Sequence, residues 1–151
     1  MSDQPVMTVE RGAFSSMKDA MQQITDQGLW PTTYISTPSP ELPLHWHDGG
    51  MQGYLVKGDT YVLNEKGERE NLTAGDKLIL PPGSLHAEGT ITDEVVYIVG
   101  LEDKRQFNHV LQMLDPASYP NPELLKLNPD FAAELFGALQ AAAPSPPPIG
   151  D

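Results

Sequence analysis

The feature that most constrains the fold is a stretch from about Trp30 to Leu101, in which short apolar runs alternate with turn-forming residues. The runs are rich in Val, Ile, Leu, Tyr and Thr, and clusters of Gly, Pro, Asn and Asp separate them, as is typical of β-strands and turns. No helical pattern interrupts the stretch, so the strands should pair antiparallel, as a sandwich or barrel. The candidate strands are Trp30–Ser36, Leu44–His47, Gln52–Lys57, Thr60–Leu63, Lys77–Leu80, His86–Thr90 and Val95–Gly100.

Helical patterns flank this stretch on both sides. In residues 14–28 apolar side chains recur at helical spacing, and the pattern places Met17 and Met21 in the core. Ser16 and Asp19 form an S-x-x-D helix start. The expected organisation is an N-terminal segment with an amphipathic helix (1–29), a β-barrel (30–101), a C-terminal helical extension (102–143) that contains a helix start at Asn128 and Pro129, and a proline-rich mobile tail (144–151).

The composition disfavours several classes of binding partner and limits the possible metal ligands. The 151 residues suit one domain, and 21 acidic against 9 basic residues give a net charge of -12, which disfavours nucleic acids and anionic membranes as partners. No apolar run approaches the length of a membrane span, so we expect a soluble, cytoplasmic protein. There is no cysteine, so any metal must be bound through nitrogen, oxygen or thioether ligands.

Three of the four histidines lie in two segments that can converge. His45 and His47 are two apart on a candidate strand, so both imidazoles point to the same face and can reach one point. In the segment from Gly75 to His86, a turn, an apolar strand and a Pro-x-Gly turn deliver the third histidine. The fourth, His109, falls in a predicted helix and is expected to be solvated.

These two segments resemble the paired motifs of the cupin superfamily. The segment from Gly75 to His86 matches the family's second motif, G-x5-P-x-G-x2-H-x3-N, with Thr90 in place of the final Asn. The first motif, G-x5-H-x-H-x(3 or 4)-E-x6-G, matches at His45, His47 and Gly58, but lacks its opening glycine and its glutamate. The resemblance implies an all-β core, a cupin-like double-sheet antiparallel β-barrel (jelly roll), here with flanking N- and C-terminal helices.

The resemblance also implies one divalent metal ion per chain, bound by His45, His47 and His86. Two residues compete for the place of the missing glutamate. Counting back from the motif's closing glycine gives Met51, and the longer family spacing gives Gln52. Neither side chain is an anion, so three neutral imidazoles would leave the full 2+ charge on the metal, and the site should favour anionic or enolisable oxygen ligands.

Three-histidine cupins include iron(II) dioxygenases, so the predicted function is an oxygenase acting on a small anionic or enolisable substrate. Iron(II) is the favoured metal, with manganese, nickel, copper and zinc as alternatives. A second reading is a non-enzymatic ligand-binding or sensor cupin, since loss of the glutamate weakens metal binding. A third is a metal-dependent isomerase or lyase, in which Glu88 is the catalytic base.

Further residues near the predicted site have less specific roles. Glu88 lies two beyond His86, where it orients a ligand imidazole, acts as a base, or is merely solvated. Tyr54, Tyr61 and Tyr97 are strand tyrosines that either line the barrel or serve in packing. Trp46 alternates away from the histidines and is expected to pack against a helix or a partner subunit. By analogy with small cupins, we expect a homodimer.

Overall fold

The structure is a computed structural model in which residues 5–103, 113–120 and 129–142 are described. Within these ranges, one strand precedes the first helix and seven strands follow it. The elements are β1 (Thr8–Glu10), α1 (Met17–Asp26), β2 (Trp30–Ser36), β3 (Met51–Lys57), β4 (Asp59–Leu63), β5 (Arg69–Thr73), β6 (Lys77–Leu80), β7 (Ala87–Glu88), β8 (Val95–Leu101), a 3-10 helix (Pro116–Ser118) and α2 (Pro129–Ala142).

The strands form two antiparallel sheets. The larger sheet has the order β1-β6-β3-β8-β2, and the smaller has the order β5-β4-β7. The predicted all-β, two-sheet antiparallel fold is therefore confirmed, and β2 and β6 have the predicted bounds. The strands β1 and β5 were not predicted. Because β1 pairs with β6, the larger sheet starts before residue 30.

The segment around the first two histidines differs from the regular strand that the sequence predicts. Residues 39–47 make only isolated antiparallel bridges, Ser39 with Ile91, His45 with His86 and Trp46 with Leu114. Pro40 and Pro43 interrupt this segment, and a proline has no N–H to donate to a ladder. The predicted strand from His86 to Thr90 likewise shortens to the two residues of β7. The two segments nevertheless run side by side.

Apolar side chains fill the space between the sheets. Fully or nearly fully buried residues there come from both sheets and include Leu55, Val62, Leu72, Leu80 and Val99. Burying a side chain of this size stabilises the fold by roughly 1.5–3 kcal/mol. This inner core holds the two sheets together, and the histidine segments lie at its edge.

The helix α1 covers the outer face of the larger sheet. Ala20 and Ile24 on the helix pack with Tyr54 and Ile98 on the sheet. The predicted start is confirmed, since the backbone N–H of Asp19 donates to the side chain of Ser16, the residue before the helix.

The predicted burial of Met17 and Met21 is wrong, because these side chains are 61% and 40% exposed. The face of α1 that meets the sheet is set by Ala20 and Ile24, and both methionines lie to one side of it.

The C-terminal part packs beside the histidine segment. Trp46 is buried, its indole N–H donates to the carbonyl oxygen of Asp115 (3.1 Å), and its ring lies edge-on to Tyr119. Trp46 therefore faces away from the histidines, as expected, and packs against residues 113–120. The helix α2 is described over Pro129–Ala142, and the predicted capping residue Asn128 lies outside the described residues. His109 and the tail 144–151 lie outside the described residues, and no described helix is long and apolar enough to cross a membrane.

Candidate metal centre

Backbone pairing brings the three histidines together. The N–H of His45 donates to the carbonyl oxygen of His86, and the N–H of His86 donates back to His45, both at 2.9 Å. Residues paired in this way point their side chains to the same face, and the two imidazole centroids are 4.5 Å apart. The ring of His47, two residues further along, lies 5.1 Å from each of the other two. The three imidazoles thus surround a common point.

A tight turn places the third histidine. The N–H of Ser84 donates to the carbonyl oxygen of Pro81 (3.1 Å) across a four-residue turn. Its third residue, Gly83, has φ 81°, a left-handed conformation that a turn of this kind requires and that glycine adopts without strain. The N–H of Gly83 donates to the carbonyl oxygen of His47 (2.9 Å). The Pro-x-Gly turn therefore ties the end of β6 to the histidine segment just before His86.

A carboxylate completes the cluster. Glu88 shares a strand face with His86, and its Oε2 lies 3.0 Å from Nε2 of His45, while its Oε1 lies 3.4 Å from Nε2 of His86. One ligand atom from each of the three histidines and Glu88 can be chosen so that all four lie within 4.8 Å of one another. Glu88 is the residue that the sequence predicted as a base or orienting group. The structure places it together with the histidines.

The hydrogen bonds of the imidazoles leave their other nitrogens facing the cluster. Nδ1 of His45 lies 2.6 Å from the carbonyl oxygen of Pro43, and Nδ1 of His86 lies 2.9 Å from that of Ser84. A carbonyl oxygen only accepts, so each Nδ1 carries the hydrogen, and Nε2 of the neutral ring has a free lone pair. Metal-binding histidines are commonly oriented by such a bond.

Three atoms of the cluster are buried without a hydrogen-bond partner. They are Nε2 of His45, Nε2 of His86 and Oε2 of Glu88. The 3.0 Å separation between His45 and Glu88 does not have the angles of a hydrogen bond. Buried polar atoms are nearly always satisfied, so a convergent unsatisfied set is what a bound cation would complete. The donor set of three imidazole nitrogens and one carboxylate oxygen fits a divalent transition metal.

Electrostatics favours a cation at this point. Burial would raise the pKa of Glu88, but electrostatic attraction to the adjacent imidazoles of His45 and His86 holds it well below its usual value. Burial would lower the pKa of His45, but attraction to the Glu88 carboxylate and the hydrogen bond to the carbonyl oxygen of Pro43 raise it overall. Glu88 is therefore an ionised carboxylate, and its charge attracts either a proton or a metal ion to the imidazole nitrogens.

The two candidates for the fourth ligand lie on opposite faces of β3. The side-chain amide of Gln52 donates to Oε1 of Gln27 (2.9 Å), and its oxygen accepts from the hydroxyl of Tyr54 (3.2 Å). Successive strand side chains point to opposite faces, so Gln52 lies on the helix side and away from the histidines. This corrects the expectation that Gln52 supplies a neutral oxygen. Met51 faces the interior, and its role as a ligand stays a prediction.

A small, mostly apolar cavity adjoins the cluster, with a volume of about 70 Å³. His47 and Glu88 reach it from the cluster. The remaining lining residues are Tyr34, Met51, Gly53, Leu78, Leu80, Tyr97, Val99 and Met113. A volume of this size is sufficient for a few water molecules or a small organic group.

Only one of the three candidate tyrosines lines this cavity. Tyr97 does so, whereas Tyr54 is buried against Phe14 near α1, and the Tyr61 hydroxyl donates to Glu41. Sequence reasoning missed Tyr34, which pairs directly with Tyr97 across the strands. The alternation along β2 could have identified Tyr34, because every second side chain from position 32 to 36 points inward.

Sequence reasoning also missed Met113. This residue follows a break in the described chain and no strand pattern precedes it, so nothing in its sequence neighbourhood pointed to the cavity.

The geometry of the site and the sheet topology settle the fold. The histidines of both motifs meet at the edge of two facing antiparallel sheets. The chain has a cupin-like fold. No protein-family model and no curated protein matches its sequence.

Several solved structures are similar to this chain. A DUF861 family protein from Thermotoga maritima has 16% identity and a TM-score of 0.47, over 63% of this chain and 98% of that one. An RmlC-like cupin from Shewanella frigidimarina has 24% identity and a TM-score of 0.44, over 52% and 70% of the two chains. A DMSP lyase from Ruegeria pomeroyi has 22% identity and a TM-score of 0.42, over 49% and 39%. The metal centre rests on the geometry of this chain's own side chains.

Proposed function

We propose that the protein is a mononuclear metal-dependent enzyme that acts on a small molecule held in the cavity beside His47 and Glu88. The observation that carries the proposal is the set of buried, unpartnered Nε2 and Oε2 atoms that converge next to this cavity. Four protein ligands leave coordination positions open on a five- or six-coordinate metal, as a catalytic centre requires.

Glu88 changes the charge argument that the sequence supplied. Three imidazoles alone would leave 2+ at the metal, whereas the Glu88 carboxylate reduces the net charge to 1+. The site would still attract an anionic or enolisable oxygen, although less strongly. The sensor reading was motivated by a missing carboxylate, and Glu88 supplies one. The enzyme reading is therefore the stronger of the two.

The residues of the cavity have distinct tasks in this proposal. When bound, iron(II) would polarise a substrate oxygen and supply electrons for oxygen chemistry, whereas zinc would supply polarisation alone. Burial and the charge of Glu88 raise the pKa of both Tyr34 and Tyr97, so these hydroxyls keep their protons and can donate hydrogen bonds to a substrate oxygen. The mostly apolar walls reduce the contact of the reacting groups with water.

The first candidate reaction is oxygenation of a small enolisable substrate, with iron(II) as the favoured metal and manganese, nickel, copper and zinc as alternatives. One observation favours a second candidate, a lyase or isomerase. The Glu88 carboxylate borders both the cluster and the cavity, so it is placed to accept a proton from a substrate held there.

Turnover with and without dioxygen distinguishes the candidates. Protein loaded anaerobically with iron(II) is offered β-diketones, thiols and enols, while oxygen uptake and products are followed. An oxygenase consumes oxygen in proportion to product and is inactive without it. A lyase or isomerase turns over equally in both conditions and loses activity in Glu88→Gln even when that variant is fully loaded with metal.

The matched control for that variant is Glu94→Gln, which removes an exposed carboxylate paired with Lys57. It should leave activity unchanged. Absence of turnover with every metal, together with ligand binding that chelators do not affect, would contradict the enzyme proposal and support a sensor.

We also propose a homodimer formed through β2. This strand is an edge of the larger sheet, and Trp30 and Ile35 on it are 45% and 59% exposed. An exposed edge with apolar side chains is prone to pair with a second copy. Light scattering at micromolar concentration should give twice the chain mass for the wild type and a lower mass for Ile35→Lys. A wild-type monomer would refute the dimer.

A further inference from the structure

We infer that the substrate carries a small, uncharged apolar group next to its metal-binding atom, and that Met51 and Met113 set the size of this group. The inference rests on the proposed metal centre and concerns the cavity that adjoins it. It follows from the charge, the volume and the flexibility of the cavity walls.

The charge of the cavity is concentrated at one end. His47 and Glu88 join it to the metal centre, and the described lining residues include no lysine or arginine. Three aliphatic side chains, Leu78, Leu80 and Val99, form much of the remaining wall. A charged group lodged there would lose its hydration without gaining a counter-charge, which is costly. The substrate is therefore expected to bind the metal with its polar end and to present an uncharged end to these walls.

The volume of the cavity limits the size of that group. About 70 Å³ is sufficient for a short alkyl chain and too little for an aromatic side group with its own substituents. Gly53, two residues after Met51 on the same face of β3, helps to keep this space, because a Cβ there would lie 3.1 Å from the Tyr97 ring. Any larger residue at position 53 would push the ring or fill the cavity.

The two methionines are the adjustable part of the wall. Met51 comes from β3 and Met113 from the segment that packs beside Trp46. Methionine is unbranched and adapts its shape to irregular gaps, whereas the leucines and Val99 are integral to the packing between the sheets. Shortening either methionine should therefore enlarge the cavity while the fold is retained.

The test uses cobalt(II)-loaded protein, whose visible absorption reports ligands that enter the coordination sphere. The probes are straight-chain alkyl hydroxamic acids from acetyl to octanoyl, and glycine hydroxamate as a charged probe of similar size to propionyl hydroxamate. In the wild type each added methylene should strengthen binding about fourfold until the cavity is full, after which binding weakens. Glycine hydroxamate should bind at least tenfold more weakly than propionyl hydroxamate.

Substitutions then test which side chains of the cavity limit the length of the alkyl chain that binds. Met51→Ala and Met113→Ala should each move the optimum to a longer chain, while the control Met21→Ala, which changes an exposed methionine on α1, leaves it unchanged. Circular dichroism establishes that each variant is folded.

The outcomes separate the two levels of the proposal. If cobalt(II) binds but affinity is independent of chain length, or if neither cavity variant moves the optimum, the inference about the substrate is overturned and the metal centre stands. If no cobalt(II) spectrum develops in the wild type, the metal centre itself is refuted, and the inference with it.

Discussion

Two carboxylates, the buried Asp76 and the partly buried Glu88, differ in how the protein satisfies them. At Asp76, Oδ1 accepts from the N–H of Gly12 (2.9 Å), and Oδ2 accepts from the N–H of Thr73 (2.9 Å) and from the guanidinium of Arg11 (3.2 Å). At Glu88, the oxygens face imidazole nitrogens, and Oε2 has no hydrogen-bond partner. The protein's own donors satisfy both oxygens of Asp76, whereas they do not satisfy Oε2 of Glu88.

The difference separates a structural group from a ligand site. Burial would raise the pKa of Asp76, but hydrogen bonds from Thr73, Gly12 and Arg11 hold it below its usual value, so the charged form fastens β1 to the β5–β6 turn. Glu88 is held ionised by His45 and His86. The Nε2 atoms of both histidines are buried and have no hydrogen-bond partner, so a bound cation would satisfy them. A buried group with all its partners stabilises the fold, and one without them indicates that something else binds there.

The largest effect should come from removing a ligand imidazole. We expect His86→Ala to weaken binding of zinc or iron(II) by more than about a hundredfold, since even the loss of an outer-sphere partner costs roughly 10- to 100-fold. Calorimetric titration measures the affinity. A loss below tenfold would show that His86 does not coordinate the metal, and the contrast between the two carboxylates would fail.

Removing the structural carboxylate should act on stability instead. We expect Asp76→Ala to lower the free energy of unfolding at pH 7 by about 2–3 kcal/mol, because two partly buried backbone N–H groups lose a charged acceptor, while metal affinity stays unchanged. Urea unfolding measures this, with the exposed Asp93→Ala as the control.

The effect of Asp76 should depend on pH in a definite direction. Its folded pKa lies below the unfolded value, so its contribution is fully present above about pH 4 and is lost as the pH falls through the folded pKa. The stability difference between the wild type and Asp76→Ala should therefore shrink as the pH is lowered from 7 to 2. A difference that grows on acidification would contradict the assignment.

A smaller effect on metal affinity should come from moving the carboxylate from position 88 to position 51. Met51 is one of the two positions that motif counting gives for the missing glutamate, and it lines the cavity with Glu88. In a Glu88→Gln background, Met51→Glu should recover about tenfold in metal affinity, as charge returns to the cluster from another strand. Gln52→Glu is the matched control, because its side chain lies on the helix side. Equal recovery by both substitutions would show that the gain is not local.

Sequence patterns predicted the parts of the fold that alternation dictates. Strands β2 and β6 are runs of aliphatic, aromatic and threonine-rich sequence and were bounded correctly, whereas β5 buries only Leu72 and β1 is three residues long at the edge of its sheet. A strand with one buried side chain gives almost no period-two signal. Such a segment is recognised as a strand only from the strand with which it pairs, as β1 pairs with β6.

The candidate site was predictable to a similar degree. The spacing of His45, His47 and His86 predicted their convergence, and alternation placed Glu88 on the face of His86. Motif counting failed for Gln52, because the count ignores which face of β3 a residue occupies. The role of Glu88 as a member of the cluster needed the pairing of His45 with His86, which only the fold supplies.

The most direct test of the metal centre is the metal content of protein purified without chelator, determined by elemental mass spectrometry for the wild type, His47→Ala and Glu88→Gln. We predict close to one divalent ion per chain in the wild type, almost none in His47→Ala, and a reduced amount in Glu88→Gln. A wild-type protein that holds no metal, even after incubation with iron, manganese, nickel, copper and zinc, would contradict the account.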